Sequence, residues 1–207
     1  MALVVVGGHS RSVGKTSVVA GLISALGDWD WTAVKITPDG HGICSARGNA
    51  CNCATPDHSW VISEERDRSG DSDSSRFLLA GARQSLWVRT QQGDLEQVMP
   101  ALRARLATAG NVIIESNSVA RYLQPDLYLV ILDFTVADFK KSSRELLDRA
   151  GGFVVRESAA PPKWQNIALE ATSSKPIFRI QPPLYVTSEL IDFVRSRSLS
   201  QHQATRP

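Results

Sequence analysis

The stretch VVVGGHSRSVGKTSVVAGL, residues 4–22, decides the fold, because an apolar strand, a polar turn and an apolar helix follow one another within it. Gly8 is followed by five residues and then by Gly14-Lys15-Thr16. The common phosphate-binding loop is G-x-x-x-x-G-K-[ST]; its backbone N–H groups wrap the phosphates, its lysine reaches the outer ones and its hydroxyl ligates magnesium. The strict spacing requires a glycine where this chain has His9, so the loop here is one residue longer.

The residues around this loop favour phosphate binding over an ordinary surface turn. A phosphate loop leaves a strand and opens a helix, whose dipole and free N–H groups then face the anion. An apolar strand at 3–6 precedes the loop, and the predicted helix 15–26 has an apolar face. We therefore predict a nucleotide-phosphate site, with Lys15 on the outer phosphates and Thr16 on Mg²⁺. Its residues are Gly8, His9, Ser10, Arg11, Ser12, Val13, Gly14, Lys15, Thr16 and Ser17.

Two side chains of the loop have alternative interpretations. Arg11 is either a third cationic contact to the phosphates or a solvated surface residue. His9 either donates a hydrogen bond to a phosphate or a carboxylate, or points to solvent. The sequence leaves both alternatives open.

Apolar runs alternate with helical patterns along the 207-residue chain. The runs are continuously apolar, which is typical of a parallel sheet covered on both faces. They lie at residues 2–6, 31–36, 86–88, 111–114, 127–132, 153–155 and 176–180. Helical spacing occurs at 15–26, 74–83, 94–109, 137–149 and 188–197. The pattern predicts one three-layer α/β domain over residues 1–197, with a doubly wound, mostly parallel sheet.

Three segments carry separate expectations. Residues 37–72 form a long polar insertion, which inside a compact domain is usually functional or disordered. Residues 198–207 are predicted to be a flexible tail. In the helix predicted at 137–149, the basic residues are expected to form the solvated face opposite an apolar one. These basic residues are Lys140, Lys141, Arg144 and Arg149.

Charge and hydropathy exclude several classes of function. Lysine and arginine total 23 and aspartate and glutamate 21, so the net charge of +2 provides no general attraction to nucleic acid or an acidic membrane. No run of about eighteen apolar residues is present in the sequence. We expect a soluble, cytoplasmic protein with reduced cysteines that binds neither nucleic acid nor membrane.

Two carboxylates follow predicted strands. Glu115 ends the apolar run 111–114, which brings it beside the phosphate loop, where it can hold magnesium through water or orient an attacking water. We predict that Glu115 is catalytic and contributes to the Mg²⁺ site. Asp39 is either a magnesium or substrate ligand or only part of the turn Pro38-Asp39-Gly40. The chain has no N-K-x-D guanine-reading motif, so the choice between ATP and GTP is open.

Residues 69–82, SGDSDSSRFLLAGA, read as a capped helix with Ser72 or Asp73 at its start. Their order resembles the pattern D-S-x-R-x-x-x-A-G-A of the molybdopterin-guanine dinucleotide biosynthesis protein B family. Asp71-Ser72 matches its first pair, three residues instead of one separate this pair from Arg76, and residues 80–82 supply A-G-A. The lysine that ends the second strand, Lys35, also matches, and the resemblance spans about residues 2–135.

This resemblance implies a P-loop NTPase that uses Mg²⁺ with GTP or ATP, works with a cofactor-synthesis partner protein and forms a homodimer. Two departures qualify it, since the family has a shorter phosphate loop and an E-G pair where this chain has Glu115-Ser116. The longer loop, ending in Val13-Gly14-Lys15-Thr16, is similar to that of dethiobiotin synthetase and cobyrinic acid diamide synthase.

The insertion concentrates all three cysteines and two of the four histidines of the chain. Thiolate and imidazole are the usual ligands of structural zinc, and three sulfurs also suit an iron–sulfur cluster. The alternative is three free thiols in a polar loop. A bound metal would order a segment that has little apolar core of its own. The predicted ligands are Cys44, Cys51 and Cys53, with His41 or His58.

These patterns lead to one principal hypothesis and two alternatives. The principal one is Mg²⁺-dependent binding and hydrolysis of GTP or ATP, as an accessory step in molybdenum cofactor maturation or another cofactor or metal delivery task. The first alternative is an ATP-dependent ligase that activates a carboxylate substrate. The second is a metal-binding regulatory protein whose nucleotide site only switches conformation.

Overall fold

An eight-stranded sheet runs through the described residues of the computed structural model, which are 1–38, 60–91, 93–158, 161, 163–164 and 174–203. The strands are β1 (Leu3–Gly8), β2 (Trp31–Pro38), β3 (Trp60–Glu64), β4 (Gln84–Thr90), β5 (Asn111–Glu115), β6 (Leu127–Asp133), β7 (Gly152–Arg156) and β8 (Ile177–Ile180). Their order in the sheet is β3-β4-β2-β5-β1-β6-β7-β8. Only the pairing of β3 with β4 is antiparallel among these described strands.

The helices cover both faces of this sheet. They are α1 (Lys15–Ala25), α2 (Asp73–Leu79), α3 (Leu95–Leu106), α4 (Lys141–Glu145) and α5 (Ser188–Gln203), with 3-10 turns at Gly27–Trp29, Ser118–Arg121 and Leu147–Arg149. Successive residues of β1 point to opposite faces, as a strand requires. Val4 and Val6 pack in the cluster that contains α1 and α5, whereas Val5 packs in the cluster that contains α3.

The predicted α/β fold class with a mostly parallel sheet is confirmed, and each apolar run became a strand. The reason is visible in β6, where every residue is buried because neighbouring strands and both helical layers cover it. The central strand β1 lies between β5 and β6, so the loop that follows it opens at the middle of the sheet edge.

Several predicted boundaries are corrected. The expected insertion 37–72 contains the strand β3, which the pattern did not reveal because its residues are half-buried at the sheet edge. The helix predicted at 137–149 is shorter: α4 is followed by a separate 3-10 turn at Leu147–Arg149. The helix predicted at 74–83 ends at Leu79, and Gly81 then has a φ of +104°, which favours glycine. The last helix extends into the predicted tail, to Gln203.

Among the described residues, none of the helices combines the length and the apolar character that a membrane crossing requires.

Candidate functional site

The turn between β1 and α1 is held in an unusual backbone conformation. Gly14, the residue before α1, has a φ of +96°, and a Cβ atom added there would lie 2.7 Å from Cε1 of Tyr185. Ser12 also has a positive φ, 55°. No side chain of the described residues caps α1, so the first N–H groups of this helix remain available for a bound anion.

Lys15 lies in the first turn of α1 and bends back over the loop. Its Nζ donates to the carbonyl oxygen of Ser10 at 2.6 Å. Burial lowers the pKa of Lys15 to about 8; the Glu115 carboxylate opposes this effect, and the charges of Lys140 and Lys35 add to it. The Lys15 ammonium group is therefore poorly hydrated, and the negative charge of a polyanionic ligand would compensate for the hydration it has lost.

Glu115 lies at the end of β5, where this strand, its neighbours β1 and β2 and the start of α1 come together. Its carboxylate is 2% exposed and accepts from Thr16 Oγ1 at 2.8 Å and from Lys35 Nζ at 2.6 Å. The sheet register explains the meeting, because Glu115 pairs with Lys35 of β2 on one side and with Val6 of β1 on the other. A hydroxyl, a carboxylate and an ammonium group thus converge beside the phosphate loop.

The helix α2 adds two charged side chains to this cluster. Lys35 Nζ lies 2.5 Å from Asp73 Oδ2, and Arg76 donates to Ser17 Oγ at 3.1 Å. Burial disfavours the charge of Lys35, but the carboxylates of Glu115 and Asp73 outweigh it and raise its pKa. Burial likewise opposes the charge of Asp73, while Lys35 lowers its pKa below the usual value. The ion pair is therefore kept charged.

Ser72 fixes the start of α2 by a capping box. Its hydroxyl accepts from the backbone N–H of Ser75 at 3.1 Å, and Ser75 Oγ in turn accepts from the N–H of Ser72 at 2.9 Å. This confirms Ser72 as the cap, and it leaves Asp73 in the first turn, where it reaches Lys35.

A cavity of about 870 Å³ opens between the phosphate loop, the end of β2, α2 and the end of β5. Its lining includes Lys15, Thr16, Lys35, Arg76, Glu115 and Lys140. The cationic groups suit phosphates, and the hydroxyl and carboxylate oxygens are hard ligands of the kind that magnesium prefers. The volume is in the range of small-molecule sites.

The predicted loop residues divide into two groups. Of the predicted site, the residues that line this cavity are Arg11, Ser12, Gly14, Lys15, Thr16, Ser17 and Glu115. Val13 packs in the core, 3% exposed. The N–H of Gly8 donates to Asn117 Oδ1 at 2.6 Å, and the N–H of His9 donates to Ile131 O at 3.0 Å. The N–H groups of Gly8 and His9 therefore bond to other parts of the chain in this structure, and the place of these two residues in the phosphate site stays a prediction.

His9 also differs from both expectations for its side chain. It is completely buried, and Nδ1 lies 2.8 Å from the carbonyl oxygen of Asp138. Since a carbonyl only accepts, Nδ1 carries the proton of this bond. Burial lowers the pKa of His9, so the ring is neutral. The imidazole points neither to solvent nor into the cavity, which corrects the two alternatives considered for it.

Sequence reasoning missed several groups that the fold brings to the site. The side-chain amide of Asn117 makes two hydrogen bonds to the backbone of Gly8: its Oδ1 accepts from the N–H of Gly8, and its Nδ2 donates to Gly8 O at 2.8 Å. A Cβ on Gly7 would lie 2.5 Å from Asn117 Oδ1, so the strand needs glycine there. In the sequence, the indication that Asn117 belongs to this site was its position two residues after Glu115, the residue at the strand end. Lys140, expected on a solvated helix face, instead lines the cavity.

The predicted metal ligands of the insertion lie outside the described residues, as does Asp39. These ligands are His41, Cys44, Cys51, Cys53 and His58. Within the part of the chain that the structure describes, no three His, Cys, Asp or Glu residues form a group that could hold a metal ion. Glu115 and Thr16 are present side by side, but the expected third magnesium ligand is not among the described positions.

No protein-family model and no curated protein matches the chain. Solved structures do match it in fold. HypB from Helicobacter pylori, in complex with nickel, is 13% identical with a TM-score of 0.52, covering 100% of this chain and 90% of its own. The hydrogenase maturation factor HypB from Archaeoglobus fulgidus is 12% identical with a TM-score of 0.52, covering 94% and 89%. MobB from Bacillus subtilis is 14% identical with a TM-score of 0.45, covering 95% and 98%.

The two HypB structures carry the fold assignment. Their similarity extends over nearly the whole chain. The chain therefore shares the α/β fold of these two structures.

Proposed function

We propose that this protein binds a nucleoside triphosphate, ATP or GTP, together with Mg²⁺ and hydrolyses it. The observation that carries the proposal is the contact of Thr16 with Glu115, 2.8 Å between oxygens, at the mouth of α1 and inside a cavity that also holds Lys15. A first-turn hydroxyl beside a strand-end carboxylate is an oxygen pair suited to magnesium. The adjacent helix N-terminus and ammonium group are suited to phosphates.

Each residue has a distinct task in this proposal. The backbone from Ser12 to Thr16 and the Lys15 ammonium bind the phosphate tail and neutralise the charge that builds up during phosphoryl transfer. Thr16 and Glu115 would hold Mg²⁺, directly or through water. When bound, this ion polarises the phosphates. Glu115 also orients the attacking water, and Lys35 holds the carboxylate in place through its 2.6 Å hydrogen bond.

The pH dependence of nucleotide binding tests this assignment. The pKa of Lys15 is about 8 in the free protein, and bound phosphates raise it, so binding above that pH takes up a proton. Affinity should be nearly constant up to about pH 8 and then weaken by up to about tenfold per pH unit. We expect this in calorimetric titrations with Mg·ATP and Mg·GTP. A Lys15→Arg variant, whose guanidinium stays charged, should lose the dependence.

Two results would contradict the proposal. One is no detectable binding of either nucleotide at millimolar concentration at neutral pH. The other is an affinity that weakens equally with pH in the wild type and in Lys15→Arg, since the titrating group would then lie elsewhere.

We also propose that the nucleotide reaction serves the maturation of a cofactor or the delivery of a metal, with molybdenum cofactor synthesis as the form that the 69–82 motif suggests. The support is the Cys/His segment 41–58 of this chain and the fold shared with HypB, which was solved with nickel. The reaction would be coupled to a partner protein, and a homodimer would carry two such sites.

Metal content is the direct test of this role. Freshly purified protein should contain about one equivalent of zinc or nickel, or the several equivalents of iron of an iron–sulfur cluster, because the three thiols of residues 44–53 are soft ligands. The double variant Cys51→Ser/Cys53→Ser should lose it in elemental analysis. Unmutated protein with less than about a tenth of an equivalent would contradict metal binding. That result would not affect the proposal that the protein binds and hydrolyses a nucleotide.

The two alternatives predict different kinetics. The long phosphate loop is the observation that favours a carboxylate-activating ligase, in which case ATP consumption should require a carboxylate substrate from a panel of such acids. A nucleotide switch should instead bind its nucleotide tightly and hydrolyse it very slowly, whichever carboxylate substrate is added. Steady hydrolysis of nucleotide alone supports the principal proposal over both.

A further inference from the structure

The segment between β6 and α4 is attached directly to the phosphate loop. Ser10 Oγ donates to Asp138 Oδ2 at 2.6 Å, the His9 Nδ1–H donates to Asp138 O at 2.8 Å, and the N–H of Lys140 donates to His9 O at 2.7 Å. We call the five residues His9, Ser10, Asp138, Phe139 and Lys140 the loop latch. Its three bonds span about 130 positions of sequence, so they are made only in the folded chain.

Aromatic packing holds the loop latch in place. The His9 ring lies 5.1 Å from the ring of Phe139 and 4.7 Å from that of Trp164, measured between centroids. Phe139 sits between Asp138 and Lys140, so the same packing fixes the backbone on both sides of it. The first half of the phosphate loop, His9 and Ser10, therefore contacts residues 138–140, whereas residues of its second half line the cavity.

The loop latch brings the side chain of Lys140 to the nucleotide cavity. Lys140 lines that cavity together with Lys15, so both side chains border the same space, and the charge of Lys140 is one of those that lower the pKa of Lys15. Two neighbouring cations repel, and a polyanion placed between them removes the repulsion. The next residue, Lys141, differs completely: its side chain is 90% exposed and lies 3.9 Å from Glu145.

We propose that Lys140 binds the phosphates of the nucleotide in the cavity that Lys15 and Arg76 also line, and that the loop latch is the element that positions it. This inference rests on the proposed function, and it adds a residue that the phosphate-loop pattern does not include. Lys140 is a binding residue in this scheme. His9 and Asp138 are positioning residues, since they act only through the backbone that carries Lys140.

The first test compares Lys140→Ala with the matched control Lys141→Ala in calorimetric titrations with Mg·ATP and Mg·GTP. We expect Lys140→Ala to weaken binding by roughly tenfold, the usual effect of losing one charge-assisted contact. Binding should also depend less steeply on salt concentration, since one ion contact is lost. Lys141→Ala should change affinity by less than about twofold.

The second test concerns positioning. His9→Phe keeps an aromatic ring against Phe139 and Trp164 but removes the Nδ1–H donor, and it should weaken nucleotide binding by a similar factor. In the double variant His9→Phe/Lys140→Ala, the two losses should not multiply, because both remove the same contact. Asp138→Ala, a change at an exposed residue, keeps the backbone acceptor of His9 but removes the acceptor of the Ser10 hydroxyl, and it tests this other bond of the latch if His9→Phe does not fold.

The outcomes separate this inference from the proposed function. Wild-type protein that binds nucleotide while Lys140→Ala binds equally well would overturn the role of Lys140 and leave the function standing. Losses that multiply in the double variant would overturn the positioning role of the latch. Wild-type protein that binds neither nucleotide would refute the proposed function itself and with it this inference.

Discussion

Replacing Lys15 with alanine is expected to weaken the binding of Mg·ATP or Mg·GTP by about a hundredfold or more, because a desolvated charge pair is lost from the site. Lys15 is the cation that reaches back over the loop, with its Nζ 2.6 Å from Ser10 O. Calorimetric titration at neutral pH gives the affinity directly. The matched control is Lys141→Ala, which removes a lysine that is 90% exposed and should leave the affinity unchanged.

The same variant should not be less stable than the wild type. Burial lowers the pKa of Lys15 to about 8, below its ordinary value of 10.5, so folding opposes the charged form at neutral pH. Removing the ammonium group removes that penalty. Urea unfolding of Lys15→Ala should therefore show an equal or higher midpoint. A lower midpoint together with weak binding would mean that the loss comes from unfolding, and the assignment of Lys15 to phosphates would lose its support.

The fold was predictable because its signal is local. Continuous apolar runs such as 127–132 can be satisfied only by a strand covered on both faces, and β6 is buried throughout. The strand β3 escaped prediction because its half-buried residues, Trp60–Glu64, follow a polar stretch and, among the described strands, pair with β4 alone. Nothing in its own sequence distinguishes it from the insertion.

The site was predictable only in part, because the pairing of strands in the sheet brings together charged residues that are far apart in the sequence. Lys15 and Thr16 follow from the loop pattern, and Glu115 follows from its place at a strand end. The contact of Lys35 with Glu115 depends on the register of β2 against β5, across 80 positions of sequence. Asp73 and Arg76 reach the same point through α2. Such contacts require the strand order, which the apolar pattern does not specify.

The phosphate loop is the clearest case in which the sequence predicts a feature but not the contacts that its residues make. Its length could be read from the spacing of Gly8 and Gly14, but the use of the added residue could not. His9 turns away from the cavity because Phe139 and Trp164 surround its ring. Both partners lie far along the chain, after β6 and β7. The motif alone predicts that His9 contacts a phosphate or a carboxylate or points to solvent, whereas the fold uses it to attach another segment.

Replacing Glu115 with glutamine is expected to lower the rate of phosphate release by roughly a hundred- to a thousandfold while leaving nucleotide affinity within a few-fold of the wild type. The amide has nearly the shape of the carboxylate, so it can still accept from Lys35, and the Thr16 hydroxyl can turn to donate elsewhere. It carries no charge, however, and neither holds the water of a magnesium ion nor orients an attacking water as a carboxylate does.

Single-turnover phosphate release and calorimetry together measure these two effects of Glu115→Gln. Asp73→Asn is the matched comparison, because Asp73 is the other carboxylate on Lys35, at 2.5 Å, and it contacts Lys35 and Thr16 from α2 instead of from the end of β5. Its loss should slow release far less, since Lys35 keeps its bond to Glu115. If Glu115→Gln hydrolyses at the wild-type rate while Asp73→Asn is inactive, the catalytic carboxylate is Asp73, and water is oriented from the α2 side of the cavity.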